Sequence, residues 1–288
     1  MRYYKALNTW VLTGFDCRKS ISRILAETKA LRMDGVELTY GDLIQPSITR
    51  EECRRILSEV KALGLGMQTM ASGKYWVCPL GSDCREERRA AVDFTKRYIE
   101  VASWLGVKKI LVVPAAVDVG WDPSRPVVSY LNAWKNSTAS IKRLLPCAEK
   151  AKVTICLENV WNKFLTSPMD FTTYVDQFNS RYIGVYFDVG NVVATGYPEH
   201  WIEILGRRIK AVHIKNFKRQ DVGGVLHGFG EDLLDGDVNF KAVDAQLKKI
   251  NYRGPLTVEM IPFSRLPDLN LPDLSLARKT AAAFRKIL

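Results

Sequence analysis

The 288-residue chain has no continuous apolar segment of the ~20 residues that a membrane-spanning helix needs. The N-terminal residues also lack the apolar run and the small-residue cleavage site of a secretory signal peptide. From these two absences we expect a cytoplasmic protein that does not have a membrane among its partners.

The cysteines and glycines of the chain do not form the sequence patterns of three common kinds of site. None of the six cysteines stands in a Cys-x-x-Cys pair, so neither a zinc ribbon nor a dithiol redox motif is indicated. We expect free thiols, as in a reducing compartment. Gly14 stands alone after the first predicted strand, where a doubly wound nucleotide-binding sheet would carry a Gly-rich phosphate turn.

The basic excess is large but dispersed. There are 42 Lys and Arg against 31 Asp and Glu, for a formal charge of +11. The basic residues come as scattered pairs such as Arg54-Arg55 and Arg207-Arg208, which is typical of solvated helix faces. Charge alone leaves the question of nucleic acid open, and we do not expect nucleic acid as a partner because the chain has too few histidines for the metal cluster of a nuclease barrel. A basic protein still attracts anions, and phosphorylated small molecules therefore stay among the candidate substrates.

Short apolar segments alternate with helical patterns along the chain. Eight such alternations predict a parallel α/β sheet that closes into a single (β/α)8 TIM barrel, with residues 1–288 as one domain. The predicted strands lie near residues 6–11, 34–38, 65–70, 108–113, 153–157, 183–187, 209–214 and 255–259. The clearest helical patterns are Cys17–Arg32, Glu51–Leu63, Asp83–Leu105, Ser129–Lys150, Phe240–Ile250 and Asp273–Ile287.

One connection is too long for this scheme. Between the seventh and eighth strands, residues 217–237 carry five glycines and five acidic residues. Connections in such barrels usually have about two to six residues, and longer ones are commonly lids or binding loops. We predict an extended loop at about 217–237, with a disordered insertion as the alternative.

Four residues of metal-ligand type close or follow successive strands in the second half of the chain: Glu158, Asp188, His213 and Glu259. A carboxylate directly after a buried strand is costly unless something binds it. Because the strands of a parallel barrel all end on one face, we expect these side chains to meet there. Two Glu, one Asp and one His suit a divalent cation such as Mn²⁺, Mg²⁺, Co²⁺ or Zn²⁺.

The segments around these residues resemble the xylose isomerase-like TIM barrel superfamily, and within it the sugar phosphate isomerase/epimerase branch that includes the ketose 3-epimerases. They are Glu158-Asn159, Phe187-Asp188-Val189-Gly190-Asn191, Ala211-Val212-His213-Ile214-Lys215-Asn216 and Thr257-Val258-Glu259. The resemblance implies a metal-dependent enzyme of carbohydrate metabolism with one divalent ion, Mn²⁺ first among the candidates, held by Glu158, Asp188, His213 and Glu259. It also implies that Glu158 and Glu259 move protons on opposite faces of a ketose or ketose phosphate.

Several residues near the strand ends are candidate substrate contacts. Lys215 lies two residues after His213 and therefore points to the same side of its strand, where it can meet a hydroxyl or a phosphate. Glu37 ends the second predicted strand and resembles a family position that supports the site. Asn191 stands where many relatives have histidine, which leaves the pose of the substrate open. The remaining candidates are Asn159, Trp10, Trp76, Lys163 and His227.

Several alternatives share parts of this pattern. Epimerisation and isomerisation need the same four ligands, and an inosose dehydratase or a hydroxypyruvate isomerase-type enzyme would keep them too. An apurinic-site endonuclease-like barrel is opposed by the presence of only three histidines, and a non-catalytic sugar-binding barrel by the intact ligand set. Two questions stay open at this point: whether the chain forms a homo-oligomer, and which group accepts the second ring N–H of His213.

Overall fold

The computed structural model describes residues 2–15, 18–120, 122, 124–219, 226–227, 232–260 and 274–288, without the side chains of residues 219, 226 and 227. Its strands are β1 (Lys5–Asn8), β2 (Gly35–Thr39), β3 (Thr69–Ala71), β4 (Lys109–Val112), β5 (Thr154–Glu158), β6 (Ile183–Asp188), β7 (Ile209–Ile214), β8 (Lys218–Arg219), β9 (Leu226–His227) and β10 (Leu256–Val258). Eight of them close into a barrel in the order β1-β10-β7-β6-β5-β4-β3-β2, and every neighbouring pair is parallel. The predicted TIM barrel is confirmed.

The helices of the outer layer begin where the sequence supplies capping residues. Thr49 and Glu52 form a capping box, and the side chains of Ser20, Ser129 and Ser167 each accept a backbone N–H three residues on. The helices are α1 (Trp10–Thr13), α2 (Ile21–Ala30), α3 (Arg50–Ala62), α4 (Arg85–Trp104), α5 (Tyr130–Ala151), α6 (Pro168–Asp176), α7 (Pro198–Leu205), α8 (Phe240–Lys249) and α9 (Leu274–Ile287). Within the parts of the chain that the structure describes, no helix combines the length and apolar character needed to span a membrane.

Two strands differ from the prediction by more than one residue at an end. The first ends at Asn8, not near residue 11, because the Asn8 carboxamide accepts the N–H of Trp10 at 2.8 Å and α1 starts there. The third begins at Thr69, and Gly66 makes only an isolated bridge to Gly35 before it. The five cysteines among the described residues are free thiols, as expected.

The long connection after β7 contains the antiparallel pair β8 and β9. Asn216 closes its base, since Asn216 Oδ1 accepts the N–H groups of Phe217 and Val238 and its Nδ2 donates to the carbonyl of Leu233. Gly236 packs so closely here that a Cβ would lie 2.3 Å from Asn216 Cγ. Residues 220–225 and 228–231 lie outside the described part, so the lid or binding role of residues 217–237 stays a prediction.

Candidate active site

The structure brings the four metal-type residues together at the carboxyl ends of the barrel strands. Glu158 and Asp188 are the last residues of β5 and β6, His213 is in β7, and Glu259 directly follows β10. One ligand atom from each lies within 4.8 Å of the others. All four residues are buried, and Asp188 and His213 have no exposed surface. The convergence expected from the parallel topology is therefore present.

The ring of His213 is oriented by contacts at both nitrogens. Nε2 lies 2.7 Å from Glu37 Oε1, deep in the barrel. Nδ1 faces the three carboxylates, at 3.4 Å from Glu158 Oε1, 3.6 Å from Glu259 Oε2 and 3.9 Å from Asp188 Oδ2. Glu37 is thus the partner for the second ring nitrogen that the sequence alone does not name.

These atoms fit a divalent metal ion. His213 Nδ1 is buried and has no hydrogen-bond partner among the described residues, which is uncommon in native proteins, and the neighbouring buried Asp188 Oδ2 faces the Lys215 ammonium at 3.0 Å. Two ligands at about 2.2 Å from one ion are at most roughly 4.4 Å apart, close to the spread of this cluster. Three carboxylates that face one imidazole repel one another, and a divalent cation between them would offset that repulsion. Oxygen-rich sites with one imidazole suit Mn²⁺, Mg²⁺, Co²⁺ or Zn²⁺.

Without such an ion, the cluster attracts protons. Burial raises the pKa of Glu158 to about 7, and the charges of Glu259 and Asp188 add to this while His213 opposes it. Burial lowers the pKa of His213, but the charges of Glu259 and Glu37 outweigh it, so the pKa lies well above its usual value. Protons and a metal ion are therefore expected to compete for this site.

Lys215 lies inside the same cluster. Its Nζ is 2.5 Å from Glu259 Oε2 and 3.0 Å from Asp188 Oδ2, and the side chain is almost fully buried. Burial lowers its pKa, but Asp188 and Glu259 more than offset this and raise the pKa overall. The side chain passes over Gly190, where a Cβ would lie 3.0 Å from Lys215 Cγ. Glycine at that position gives the lysine room to reach the carboxylates.

The sequence matches the family model of the xylose isomerase-like TIM barrel over residues 25–287. The chain belongs to this family. It is 26% identical over 243 residues to the L-ribulose-5-phosphate 3-epimerase UlaE of Salmonella paratyphi C, covering 81% of this chain and 79% of that protein.

Solved structures show the same fold. An L-ribulose 3-epimerase structure aligns with a TM-score of 0.80 and 18% identity over 100% of this chain and 95% of that one. A D-psicose 3-epimerase from Clostridium cellulolyticum H10, solved with D-tagatose, aligns with a TM-score of 0.78 and 16% identity, covering 98% and 97% of the two chains.

In this xylose isomerase-like barrel, Asn159 and Asn191 connect the ends of β5 and β6. The Asn159 side chain donates to the carbonyl of Asp188 and accepts its N–H, both at 2.8 Å. Asn191 Nδ2 donates to the Asn159 carbonyl, and its Oδ1 accepts the indole N–H of Trp161. Asn159 and Asn191 are predicted substrate contacts. In the structure their side-chain amides form hydrogen bonds with protein groups, and these bonds connect the segments that carry Glu158 and Asp188.

Glu37 requires a correction of the expected substrate contact. The structure places it fully buried beneath His213, with Asn8 and His213 bonded to Oε1 and the Tyr186 hydroxyl to Oε2. A carboxylate with no exposed surface and three protein partners is not available to a substrate at the mouth of the barrel.

The other predicted substrate contacts follow the ends of barrel strands and differ in burial and in their hydrogen-bond or ion-pair partners. Trp10 is buried and its indole N–H donates to Asp42 at 2.6 Å, while Trp76 is half-buried in a short 3₁₀ helix, Lys74–Trp76. Lys163 is exposed and forms an ion pair with Asp118 at 2.6 Å. The side chain of His227 lies outside the described part of the chain.

Proposed function

We propose that this chain is a divalent-metal-dependent epimerase of a ketose or ketose phosphate, with Glu158, Asp188, His213 and Glu259 as metal ligands. The observation that carries the proposal is a pair of buried carboxylates, Glu158 and Glu259. They enter the cluster from β5 and from the end of β10, the two outer strands of the four that supply it. Membership of the family and the 3-epimerase activity named for its relatives support this reading. By the same reasoning, carbon 3 is the centre that is inverted.

Mn²⁺ is our first candidate for the metal, followed by Mg²⁺, Co²⁺ and Zn²⁺, because three carboxylates suit Mn²⁺ and Mg²⁺ while the one imidazole suits a transition metal better than Mg²⁺. When bound, a divalent ion supplies Lewis acidity that makes the proton beside the sugar carbonyl easier to remove. We assign to this ion His213 Nδ1, which is buried without a hydrogen-bond partner among the described residues, and Asp188 Oδ2, which also faces Lys215.

The chain's own residues perform the proton transfers. One of Glu158 and Glu259 takes the proton from the carbon beside the carbonyl, which leaves an enediolate. The other returns a proton to the opposite face of the same carbon, so one C–H bond breaks, one forms, and no oxidant or reductant is needed. Return of the proton to the neighbouring carbon would give isomerisation instead.

Lys215 Nζ lies 2.5 Å from Glu259 Oε2, and we assign this lysine two tasks: it positions the Glu259 carboxylate and it contacts the sugar oxygens. Trp10, Trp76 and Lys163 stand farther out, and we assign them, with His227, to the walls and rim of the substrate pocket. We further propose that the protein is a cytoplasmic, single-domain enzyme whose substrate is a small sugar or sugar phosphate. It would act as a monomer or as a homo-oligomer and would bind neither nucleic acid nor a membrane.

The test is turnover of defined ketoses by protein that has been stripped with a chelator and reloaded with each metal. L-Ribulose 5-phosphate, L-ribulose and D-psicose would be followed by NMR for appearance of the 3-epimer. We expect Glu158→Gln and Glu259→Gln to lose about 10²-fold or more in rate, as for removal of a general acid or base. Glu51→Gln, on the exposed face of α3, is the matched control. A fully active Glu158→Gln or Glu259→Gln variant would contradict the assignment.

A further inference from the structure

Glu37 is a charged residue enclosed in the lumen of the barrel, below the metal-type cluster. Its contact with His213 joins β2 to β7, although β1 and β10 separate these strands in the sheet. The contact therefore crosses the lumen. Burial of a carboxylate in such a place is costly unless donors surround it.

Three donors from three strands supply that surrounding. Asn8 Nδ2 of β1 donates to Glu37 Oε1 at 2.8 Å, and His213 Nε2 lies 2.7 Å from the same oxygen. The Tyr186 hydroxyl of β6 donates to Oε2. Both carboxylate oxygens are thus occupied, and the carboxylate cannot rotate without breaking one of these contacts.

The same arrangement restricts the imidazole. Tyr186 packs against the ring, with 4.4 Å between the ring centroids, while Glu37 holds Nε2 on the lumen side. Rotating the ring by 180° would remove Nε2 from its acceptor and turn Nδ1 away from the carboxylates of Glu158, Asp188 and Glu259. A fixed ligand orientation spares the site the entropy of ordering the ring when a metal binds.

We propose that Glu37 is a positioning residue of the metal centre, which acts through His213 by holding Nδ1 toward the three carboxylates. This rests on the proposed metal site. Asn8 and Tyr186 in turn hold Glu37. Residues of β1 and β6 therefore fix, through the Glu37 carboxylate of β2, the orientation of a metal ligand on β7.

The test measures Mn²⁺ affinity, not activity, in chelator-stripped protein by calorimetry or by the electron paramagnetic resonance signal of free Mn²⁺. Glu37→Met removes the acceptor at similar size and should weaken Mn²⁺ binding about 10–100-fold. Glu37→Gln still offers an amide oxygen to Nε2–H and should recover most of that loss. Thr39→Val is the matched control: Thr39 is another buried polar residue on β2, and its hydroxyl pairs with Thr9. Its Mn²⁺ affinity should be unchanged.

A double-mutant cycle separates positioning from a general loosening of the barrel. In the His213→Ala background, the Glu37 substitutions should change Mn²⁺ affinity less than about twofold, because the group through which Glu37 acts is gone. The same loss in both backgrounds, or wild-type affinity in Glu37→Met, or a Glu37→Gln variant as weak as Glu37→Met, would overturn the proposal. If Glu37→Met does not fold, Glu37→Ala, which also lacks the acceptor, decides in the two backgrounds: a loss only when His213 is present supports positioning, and no loss or an equal loss overturns it. Wild-type protein that binds no Mn²⁺ would instead refute the proposed function.

Discussion

Glu158→Gln should make the metal-free protein more stable at alkaline pH while it removes turnover. Glu158 is 8% exposed and faces two other carboxylates, so its ionised form is disfavoured when no metal is bound. Glutamine has nearly the same shape and carries no charge. The substitution therefore relieves a cost that the native residue imposes on the fold.

The size of the effect follows from the pKa of Glu158, which burial and its neighbours raise from 4.5 to about 7. At about 1.36 kcal/mol for each pKa unit, ionising this group in the folded protein costs about 3 kcal/mol more than in the unfolded chain. Because the folded state binds more protons than the unfolded state between pH 4.5 and 7, the free energy of unfolding falls as the pH rises through that window. The variant does not titrate there. Its stability relative to wild type should thus rise by about 3 kcal/mol from pH 4.5 to pH 8.

The measurement is urea denaturation of chelator-stripped protein at several pH values between 4.5 and 8. Glu51→Gln, at a paired but exposed position on α3, should differ from wild type by no more than about 0.5 kcal/mol at every pH. A Glu158→Gln stability difference that is the same at pH 4.5 and pH 8, or that turns unfavourable at pH 8, would refute the electrostatic account of the site.

Three further predictions concern the ligands, the buried lysine and the scaffold. Asp188→Ala removes a proposed ligand and should weaken Mn²⁺ binding at least about tenfold in calorimetry, and unchanged affinity would remove Asp188 from the metal site. Lys215→Met should lower kcat for phosphorylated and free ketoses alike, because Nζ contacts Asp188 and Glu259. A rise in KM confined to the phosphorylated substrate would show that the lysine binds phosphate instead. Thr49→Ala should cost about 1 kcal/mol in urea denaturation through loss of the α3 capping box, with turnover unchanged.

The fold and the meeting of the four ligands could be predicted because both follow from chain order. In a parallel barrel each strand ends on the same face, so Glu158, Asp188, His213 and Glu259 converge once their strands are recognised. The period of two along a strand likewise places Lys215 on the side of His213, as the structure shows. These inferences need only local patterns and a closed topology.

The contacts inside the lumen could not be obtained in this way. His213 and Glu37 are 176 residues apart and lie on strands that are not neighbours, so no local spacing pairs them. The same holds for Asn159 and Asn191: the sequence places both beside the ligands, but their hydrogen-bond partners depend on how the two loops fold. The predicted end of β1 is a smaller error. The apolar residues Trp10 and Val11 continue the strand pattern, but the Asn8 side chain accepts the Trp10 N–H and a helix starts there.

The central claim is that Glu158 and Glu259 exchange a proton beside the carbonyl of a ketose. The most direct measurement incubates Mn²⁺-loaded protein in heavy water with L-ribulose 5-phosphate and a pool of other ketoses and ketose phosphates. Mass spectrometry and proton NMR would then locate the label. We predict one deuterium at carbon 3 of a ketose or ketose phosphate, and none with Glu158→Gln. Absence of label from every sugar in the pool, with protein that binds Mn²⁺, would contradict the account.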